Sequence, residues 1–132
     1  MKICVTATAG SLDAQTDPRF GRCSYFMIVD SETMRFETVP NMARGVTGGA
    51  GIQAAQTIAN KGAKLLITGN VGPKAFQALS VAGIEVITGA FGTVREAVEK
   101  FKRGDFKKTG APTVGGHFGM GGRGGGRGVW KP

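Results

Sequence analysis

Apolar and polar residues alternate with a period of two near the start of the chain, which is typical of β-strands. This pattern predicts strands over residues 2–8 and 34–39, and the largely apolar stretch 25–30 predicts a further strand between them. Only residues 31–33, all of them polar, separate the second strand from the third. We therefore expect these two strands to form an antiparallel hairpin.

Beyond residue 50 the spacing of apolar residues becomes helical. It predicts helices over 51–60, from Pro73 onward and over 93–101, the last opening with a Thr-x-x-Glu capping box. Short continuous apolar runs at 65–67 and 84–87 separate these helices and predict buried strands. The positions expected to face the core are Ile52, Ala55, Ile58 and Ala59 in the first helix, Phe76 and Leu79 in the second, and Val94, Ala97, Val98 and Phe101 in the third.

The predicted order β-β-β-α-β-α-β-α indicates one α/β domain over residues 1–105. Strands joined through helices must be parallel, and such crossovers are almost always right-handed. A mixed five-stranded sheet with helices on both faces is the simplest closure. From Gly110 onward 10 of 23 residues are glycine, and such a segment buries too little apolar surface to offset its chain entropy. We therefore expect a flexible, glycine-rich basic tail over 106–132.

Charge is concentrated near the C-terminus. Residues 1–100 hold ten Lys and Arg against eight Asp and Glu, whereas residues 101–132 hold seven against one, within a net charge of +8. Long-range attraction of anions should therefore come largely from the C-terminal part.

The cysteine count and the apolar runs exclude several protein classes. Two cysteines make neither a disulfide framework nor a complete four-ligand metal site. The chain begins directly with a strand pattern, so we expect no signal peptide. No apolar run approaches the roughly 20 residues of a membrane-spanning helix, and we expect a cytoplasmic protein.

Three predicted parallel strands end in similar glycine-containing turns, at 8–10, 68–72 and 88–92. Ligands of open α/β sheets bind beyond the carboxyl ends of the strands, where helix N-termini present free N–H groups to anions. These turns therefore predict an anion site, although glycine is also common in simple strand-to-helix turns. Residues 49–54 fit the dinucleotide pattern G-x-G-x-x-A, but no strand directly precedes them and no acidic residue follows at about 20 positions. A glycine-rich helix start that faces the same cleft is the better interpretation.

The most unusual stretch is Pro18–Cys23, in which Arg19 and Arg22 flank a glycine beside a thiol. We expect Cys23 near the start of the second strand and outside the deep core, where guanidinium charge favours its thiolate. The stretch then acts as a basic clamp with a soft metal ligand. The alternative is an arginine-stabilised loop with a semi-buried cysteine. Cys4 lies in mid-strand, where a buried thiol acts as a small hydrophobe.

The sequence contains few residues that could carry out catalysis. The one histidine, His117, lies in the predicted tail, where no scaffold holds a base in place. The first strand carries no carboxylate of the kind a ribonuclease-type nuclease needs, and neither G-x-S-x-G nor a Walker A motif occurs. Asp13 and Asp17 share a loop and are expected to be solvated. We therefore expect a protein that is not an enzyme.

The tail allows three interpretations. Arg123, Arg127 and aromatic residues between glycines resemble RNA-binding arginine–glycine segments. His117 and Met120 offer soft metal ligands, and the basic charge would suit an anionic cluster. The third interpretation is a solubilising or self-associating tail without a specific ligand.

Five motifs follow one another along the first 105 residues. They are Pro18-Arg19-Phe20-Gly21-Arg22-Cys23, Tyr25-Phe26 through Asp30, Gly49-Ala50-Gly51 with Gln53-Ala54-Ala55, Ile67 through Pro73 with Ala75, Phe76 and Leu79, and Gly92-Thr93-Val94. In combination they resemble the dinitrogenase iron–molybdenum cofactor biosynthesis domain family, which includes nitrogenase cofactor carriers and the molybdenum–copper orange protein. The resemblance implies a three-layer α/β/α, ribonuclease-H-like fold with sheet order 3-2-1-4-5 and strand 2 antiparallel to the rest.

The resemblance also implies a function. A member would bind, carry or store an anionic metal–sulfur cluster of iron–sulfur, iron–molybdenum or molybdenum–copper type as a non-catalytic accessory protein, with cluster donor or acceptor proteins as partners. The alternative is a nucleic-acid-binding or protein–protein adaptor module that acts through the tail. The candidate cluster-binding residues are Arg19, Phe20, Gly21, Arg22, Cys23, Gly48, Gly49, Gly51, Asn70, Val71 and Gly72, and the candidate metal ligands are Cys23 and His117.

Overall fold

Strands and helices follow one another in the predicted order in the computed structural model, which describes residues 1–46 and 48–114. The elements of this part of the chain are β1 (Lys2–Ala7), β2 (Tyr25–Asp30), β3 (Phe36–Pro40), α1 (Ala50–Asn60), β4 (Leu65–Ile67), α2 (Pro73–Val81), β5 (Glu85–Ile87) and α3 (Val94–Lys102).

The strands form one mixed sheet in the order β3-β2-β1-β4-β5. β2 is antiparallel to both β1 and β3, whereas β4 is parallel to β1 and to β5. The predicted sheet order and strand directions are therefore confirmed. β1 and β4 lie side by side, yet β1 leads towards β2 on one side and β4 leads through α2 to β5 on the other. Such a reversal opens a crevice at the carboxyl ends of the strands.

Each face of the sheet has its own apolar core, because successive side chains of a strand point to opposite faces. Cys4 and Leu66 lie in the core that includes residues of α1 and α2. Ile3 and Val5 lie in the core that includes residues of α3. The central strands are thus buried on both faces, as the continuous apolar run at 65–67 predicts for β4.

One predicted core position of α1 is wrong. Ile52 does not face the core, since it is 37% exposed. The buried residues of α1 are instead Ala50, Ala54, Ala55 and Ile58. The small residues of this face allow close contact with α2, where a Cβ atom added to Gly51 would lie 2.8 Å from the Cβ of Ala75.

The third strand begins later than predicted, at Phe36. Met34 has a φ of 63°, and its N–H donates to the carbonyl of Asp30 at 2.8 Å. This turn reverses the chain between β2 and β3, so Met34 cannot continue a strand.

Residues 105–114, which we call the strap, follow α3 without forming a helix or strand. The Thr109 N–H donates to the carbonyl of Val86 in β5 at 2.6 Å, and the Thr113 N–H donates to the carbonyl of Val71 at 2.9 Å. The strap therefore runs along the outer edge of β5 towards the end of β4. The remainder of the predicted tail, residues 115–132, lies outside the described residues, so its flexibility stays a prediction. None of the helices within residues 1–46 and 48–114 is long and apolar enough to cross a membrane.

Candidate functional site

The N-termini of α1 and α2 both lack side-chain caps. Their N-cap residues are Gly49 and Gly72, neither helix receives a side-chain capping bond, and neither first turn contains an acidic residue. The first amides of a helix have no partner within the helix, and they carry a partial positive charge. Both ends therefore offer N–H groups to an anion.

The N-terminus of α3 is different. The hydroxyl of Thr93 accepts a hydrogen bond from the Glu96 N–H at 3.1 Å, and the Glu96 carboxylate accepts one from the Thr93 N–H at 2.9 Å. This confirms the predicted capping box. The turn at 88–92 thus resembles 68–72 in sequence but leads to a helix whose first amides already have partners, because the Val94 and Arg95 N–H groups donate to the carbonyls of Ala14 and Leu12 at 2.9 and 2.8 Å.

Close backbone contacts bring the two uncapped ends together with the arginine-containing loop. A Cβ atom added to Gly21 would lie 3.1 Å from the amide nitrogen of Gly51, in the first turn of α1. Gly51 in turn contacts Ala75, in the first turn of α2. Since only glycine allows backbones to approach this closely, the glycines at 21 and 51 fix the convergence.

The same loop is bound to the end of β4. Arg19 and Asn70 form a parallel bridge, and the Asn70 N–H donates to the carbonyl of Pro18 at 2.8 Å. A Cβ atom added to Gly69 would lie 2.6 Å from the Cα of Pro18. Three segments that are distant in sequence, 18–23, 48–51 and 69–72, therefore meet at one edge of the sheet.

Arg19 is held in place by an acidic residue. One carboxylate oxygen of Asp17, Oδ1, accepts hydrogen bonds from the backbone N–H of Arg19 at 3.0 Å and from its Nε at 3.3 Å. The side chain of Asp17 is 4% exposed and that of Arg19 is 55% exposed. Among the described residues, the terminal nitrogens of Arg19 make no hydrogen bond and are left for a ligand.

The expectation that Asp17 is solvated is therefore wrong, and sequence reasoning missed its role. An aspartate often accepts the N–H two residues later in a turn, and that spacing, Asp17 to Arg19, was the available signal.

Arg22 has its own partners. Its Nη1 donates to the carbonyls of Arg44 at 2.7 Å and Val46 at 3.0 Å. These carbonyls belong to the loop that leads from β3 towards Gly48. Arg22 thus fixes the approach to α1, whereas Arg19 has the freer guanidinium.

Cys23 is buried, contrary to the expected position outside the deep core. Its thiol donates to the carbonyl of Phe20 at 3.3 Å. Burial, followed by the nearby charge of Asp17, raises the pKa of Cys23 from its ordinary value of 9.0 to about 12, and Arg19 lowers it only weakly. The predicted thiolate is therefore not favoured in this conformation. Burial also raises the pKa of Cys4 well above 9.0, in agreement with its predicted role as a small hydrophobe.

The side chains of Phe20 and Val71 lie in the core that includes residues of α1 and α2. The ring of Phe20 is buried and lies 5.9 Å from that of Phe26, and the side chain of Val71 is also buried. Only their backbone atoms can face a ligand. His117 lies outside the described residues. Within residues 1–46 and 48–114, no group of three or more His, Cys, Asp and Glu side chains is arranged to hold a metal ion.

Comparisons with known proteins show the family and agree with the fold. The family model for the dinitrogenase iron–molybdenum cofactor matches residues 1–104. The apo form of the orange protein from Desulfovibrio gigas is 48% identical, with a TM-score of 0.83 over 84% of this chain and 94% of that chain. A Thermotoga protein of the DUF35 family, solved by NMR, is 33% identical, with a TM-score of 0.72 over 81% and 91% of the two chains. An uncharacterised protein of Methanocaldococcus jannaschii is 36% identical over 94 residues, which are 69% of this chain and 80% of the relative. The resemblance inferred from the sequence motifs is thereby confirmed.

Proposed function

Because this chain belongs to the dinitrogenase iron–molybdenum cofactor family, we propose that it binds an anionic metal–sulfur cluster as cargo and carries or stores it without catalysing a reaction. The family supports an accessory role related to such clusters. The observation that most strongly supports cargo binding is the meeting of two uncapped helix N-termini beside Arg19.

Charge complementarity explains how this place would hold a cluster. Sulfide ligands give such clusters a net negative charge, and amides at helix N-termini together with a guanidinium bind anions through charge-assisted hydrogen bonds. The backbone at Gly48, Gly49, Gly51 and Gly72 would approach the sulfides closely, and the terminal nitrogens of Arg19 would add a positive group that Asp17 holds in place.

The cargo would be held without protein–metal bonds. Cys4 and Cys23 are buried, and the raised pKa of each thiol disfavours the thiolate that binds metal. A cluster whose own sulfides complete the coordination of its metals needs no protein thiolate. Binding of this kind is reversible, as transfer between cluster donor and acceptor proteins requires.

The test is anaerobic reconstitution of the full chain with iron and sulfide and, separately, with tetrathiomolybdate and copper. Gel filtration, visible spectroscopy and metal analysis then measure the cluster that co-elutes with the protein. We expect a stoichiometric chromophore that Arg19→Ala weakens by roughly tenfold or more, since a charged hydrogen bond contributes about 1.5–3 kcal/mol.

The matched control is Arg35→Ala, which removes the same charge beyond the end of β2, at the opposite edge of the sheet. It should bind like the wild type. Absence of retained metal under every condition, or equal weakening by the two substitutions, would contradict the proposal. The nucleic-acid and adaptor alternatives rest on residues 115–132, outside the described part of the chain, so no structural observation favours them.

A further inference from the structure

In the strap, the ring of Phe106 packs against the α3 side of the core and Lys108 pairs with Glu85 at 2.7 Å. Two hydrogen-bonded attachments follow. At the first, the Thr109 N–H donates to the carbonyl of Val86 at 2.6 Å, and its hydroxyl lies 2.8 Å from that of Thr88. At the second, Thr113 bonds to Val71. Only residues 110–112 lie between the two attachments.

The second attachment occupies part of the candidate site. Val71 directly precedes Gly72, the N-cap of α2, and its N–H donates to the hydroxyl of Thr113 at 2.9 Å. In return the Thr113 N–H donates to the Val71 carbonyl at 2.9 Å. The neutral hydroxyl oxygen of Thr113 therefore accepts the hydrogen bond of the Val71 N–H. Without Thr113, this N–H could donate to a sulfide of the cargo.

The strap is weakly held beyond Thr109. Its first half has the half-buried Phe106 ring and the Lys108–Glu85 ion pair, but every residue from 110 to 114 is exposed or half-buried, so no fully buried side chain fixes the second half to the core. Segments of this kind open locally at low free-energy cost. A Cβ atom added to Gly110 would meet nothing within 4 Å, which leaves open space around the chain between the two attachments.

We propose that Thr113 is a displaceable latch, which closes the α2 end of the site in the cargo-free protein and is released when the cluster binds. The first attachment, at Thr109, stays in place and keeps the strap on β5. A charged acceptor forms a stronger hydrogen bond with an amide than a neutral hydroxyl does, so the cargo can replace Thr113 at Val71. This proposal rests on the proposed function, because it takes the cluster as the competing ligand.

The first test needs no cargo. Hydrogen exchange of the Val71 amide, followed by NMR in the full chain, is compared among wild type, Thr113→Val and Thr109→Val. Valine keeps the shape of threonine and has a methyl group in place of the hydroxyl. We expect faster exchange of the Val71 amide in Thr113→Val than in wild type, and little change in the control Thr109→Val. Equal exchange in wild type and Thr113→Val would overturn the latch.

The second test adds cargo formed from tetrathiomolybdate and copper. Thr113→Val should bind about two- to tenfold more tightly than wild type, since the net value of one hydrogen bond is about 0.5–1.5 kcal/mol. Loading should also accelerate exchange of the Thr113 amide in wild type while the Thr109 amide stays protected. If wild type binds the cluster but Thr113→Val binds it equally well or more weakly, the latch is overturned while the proposed function stands. If no form retains a cluster, the proposed function fails and the displacement fails with it.

Discussion

Arg19 and Arg22 stand three residues apart but have different surroundings. The Nη1 of Arg22 is engaged by two loop carbonyls, whereas Arg19 is anchored through Nε and exposes its terminal nitrogens. The anchor, Asp17, is almost fully buried. A side chain held in this way loses less conformational entropy when a ligand binds.

This arrangement predicts the effect of Asp17→Asn. The amide oxygen of asparagine can still accept a hydrogen bond, but the loss of charge weakens its hold on Arg19. We expect cluster affinity to fall by roughly fivefold, the difference of about 1 kcal/mol between a charged and a neutral hydrogen bond. Titration of the variant with the reconstituted cluster measures this change. Wild-type affinity in Asp17→Asn would show that the carboxylate charge does not position Arg19.

The sequence indicated the importance of Pro18–Cys23 but not how its side chains are used. The carbonyl partners of Arg22 lie 22 and 24 positions further along the chain, so no local pattern reveals them. The burial of Cys23 likewise depends on the packing of this loop between strands and helices. Local spacing could have identified only the contact between Asp17 and Arg19.

At the level of elements, the three helices divide by how they begin. α3 has a complete capping box, while α1 and α2 begin at glycine without a side-chain cap. A cap stabilises a helix and also occupies the amides that would bind an anion. We therefore interpret the missing caps of α1 and α2 as stability given up in favour of ligand binding.

A pair of substitutions tests this interpretation. Thr93→Ala should lower the free energy of unfolding by about 1 kcal/mol and leave cluster affinity unchanged. Gly72→Ser should have the opposite pattern, because Gly72 already has the extended backbone (φ −81°, ψ 174°) that an N-cap residue adopts. We expect it to raise stability slightly and to weaken cluster binding. Urea denaturation and cluster titration of both variants give the two quantities.

We thus expect one variant to change stability alone and the other to change cluster affinity. If Gly72→Ser left cluster affinity unchanged, the α2 amides would not be part of the site. If Thr93→Ala weakened binding as much as Gly72→Ser, a general loss of structure would explain both effects.

Element order and type could be read from periodicity, because alternation and helical spacing are local. The exceptions have tertiary causes. Ile52 lies on a helical face that periodicity assigned to the core, but close contact of Gly51 with Ala75 turns a face of small residues inward instead. Met34 continues the alternation of β3 in sequence, yet the reversal after β2 requires its positive φ.

On the scale of the whole molecule, the parallel strands and the hairpin followed from connection rules, and the sheet order followed from the family resemblance. The position of the strap did not, since few apolar residues mark it. Apart from the Phe106 ring and the Lys108–Glu85 ion pair, its contacts come from threonine side chains and backbone groups that meet exposed edges of the fold. Such contacts have no periodic pattern in a sequence.

Both buried cysteines should make folding stability depend on alkaline pH. The fold raises the pKa of Cys23 from the ordinary value of 9.0, which holds in the unfolded chain, to about 12. Above pH 9 the unfolded chain therefore loses the thiol proton, whereas the folded chain keeps it. Stability therefore falls as the pH rises from about 9 towards 12, by about a factor of ten in the folding equilibrium per pH unit for each such thiol. Below pH 9 this contribution is constant.

Urea denaturation between pH 8 and about pH 10.5 checks the prediction. Cys23→Ala should show a shallower loss of stability than wild type, because it lacks the thiol whose pKa the fold raises. Parallel pH profiles for the two proteins would contradict the burial of the thiol.

The two ends of the described chain lie at opposite edges of the sheet. The carbonyl of Met1 accepts a hydrogen bond from Ser31, at the start of β1, whereas Val114 lies beside Val71 at the carboxyl end of β4. An affinity tag fused after Pro132 would be tethered to the site edge through 18 residues, and the imidazoles of a polyhistidine tag would compete for the very metals under study. Purification handles, fluorophores and surface-immobilisation points therefore belong at the N-terminus, where they leave the edge with the proposed cluster site open.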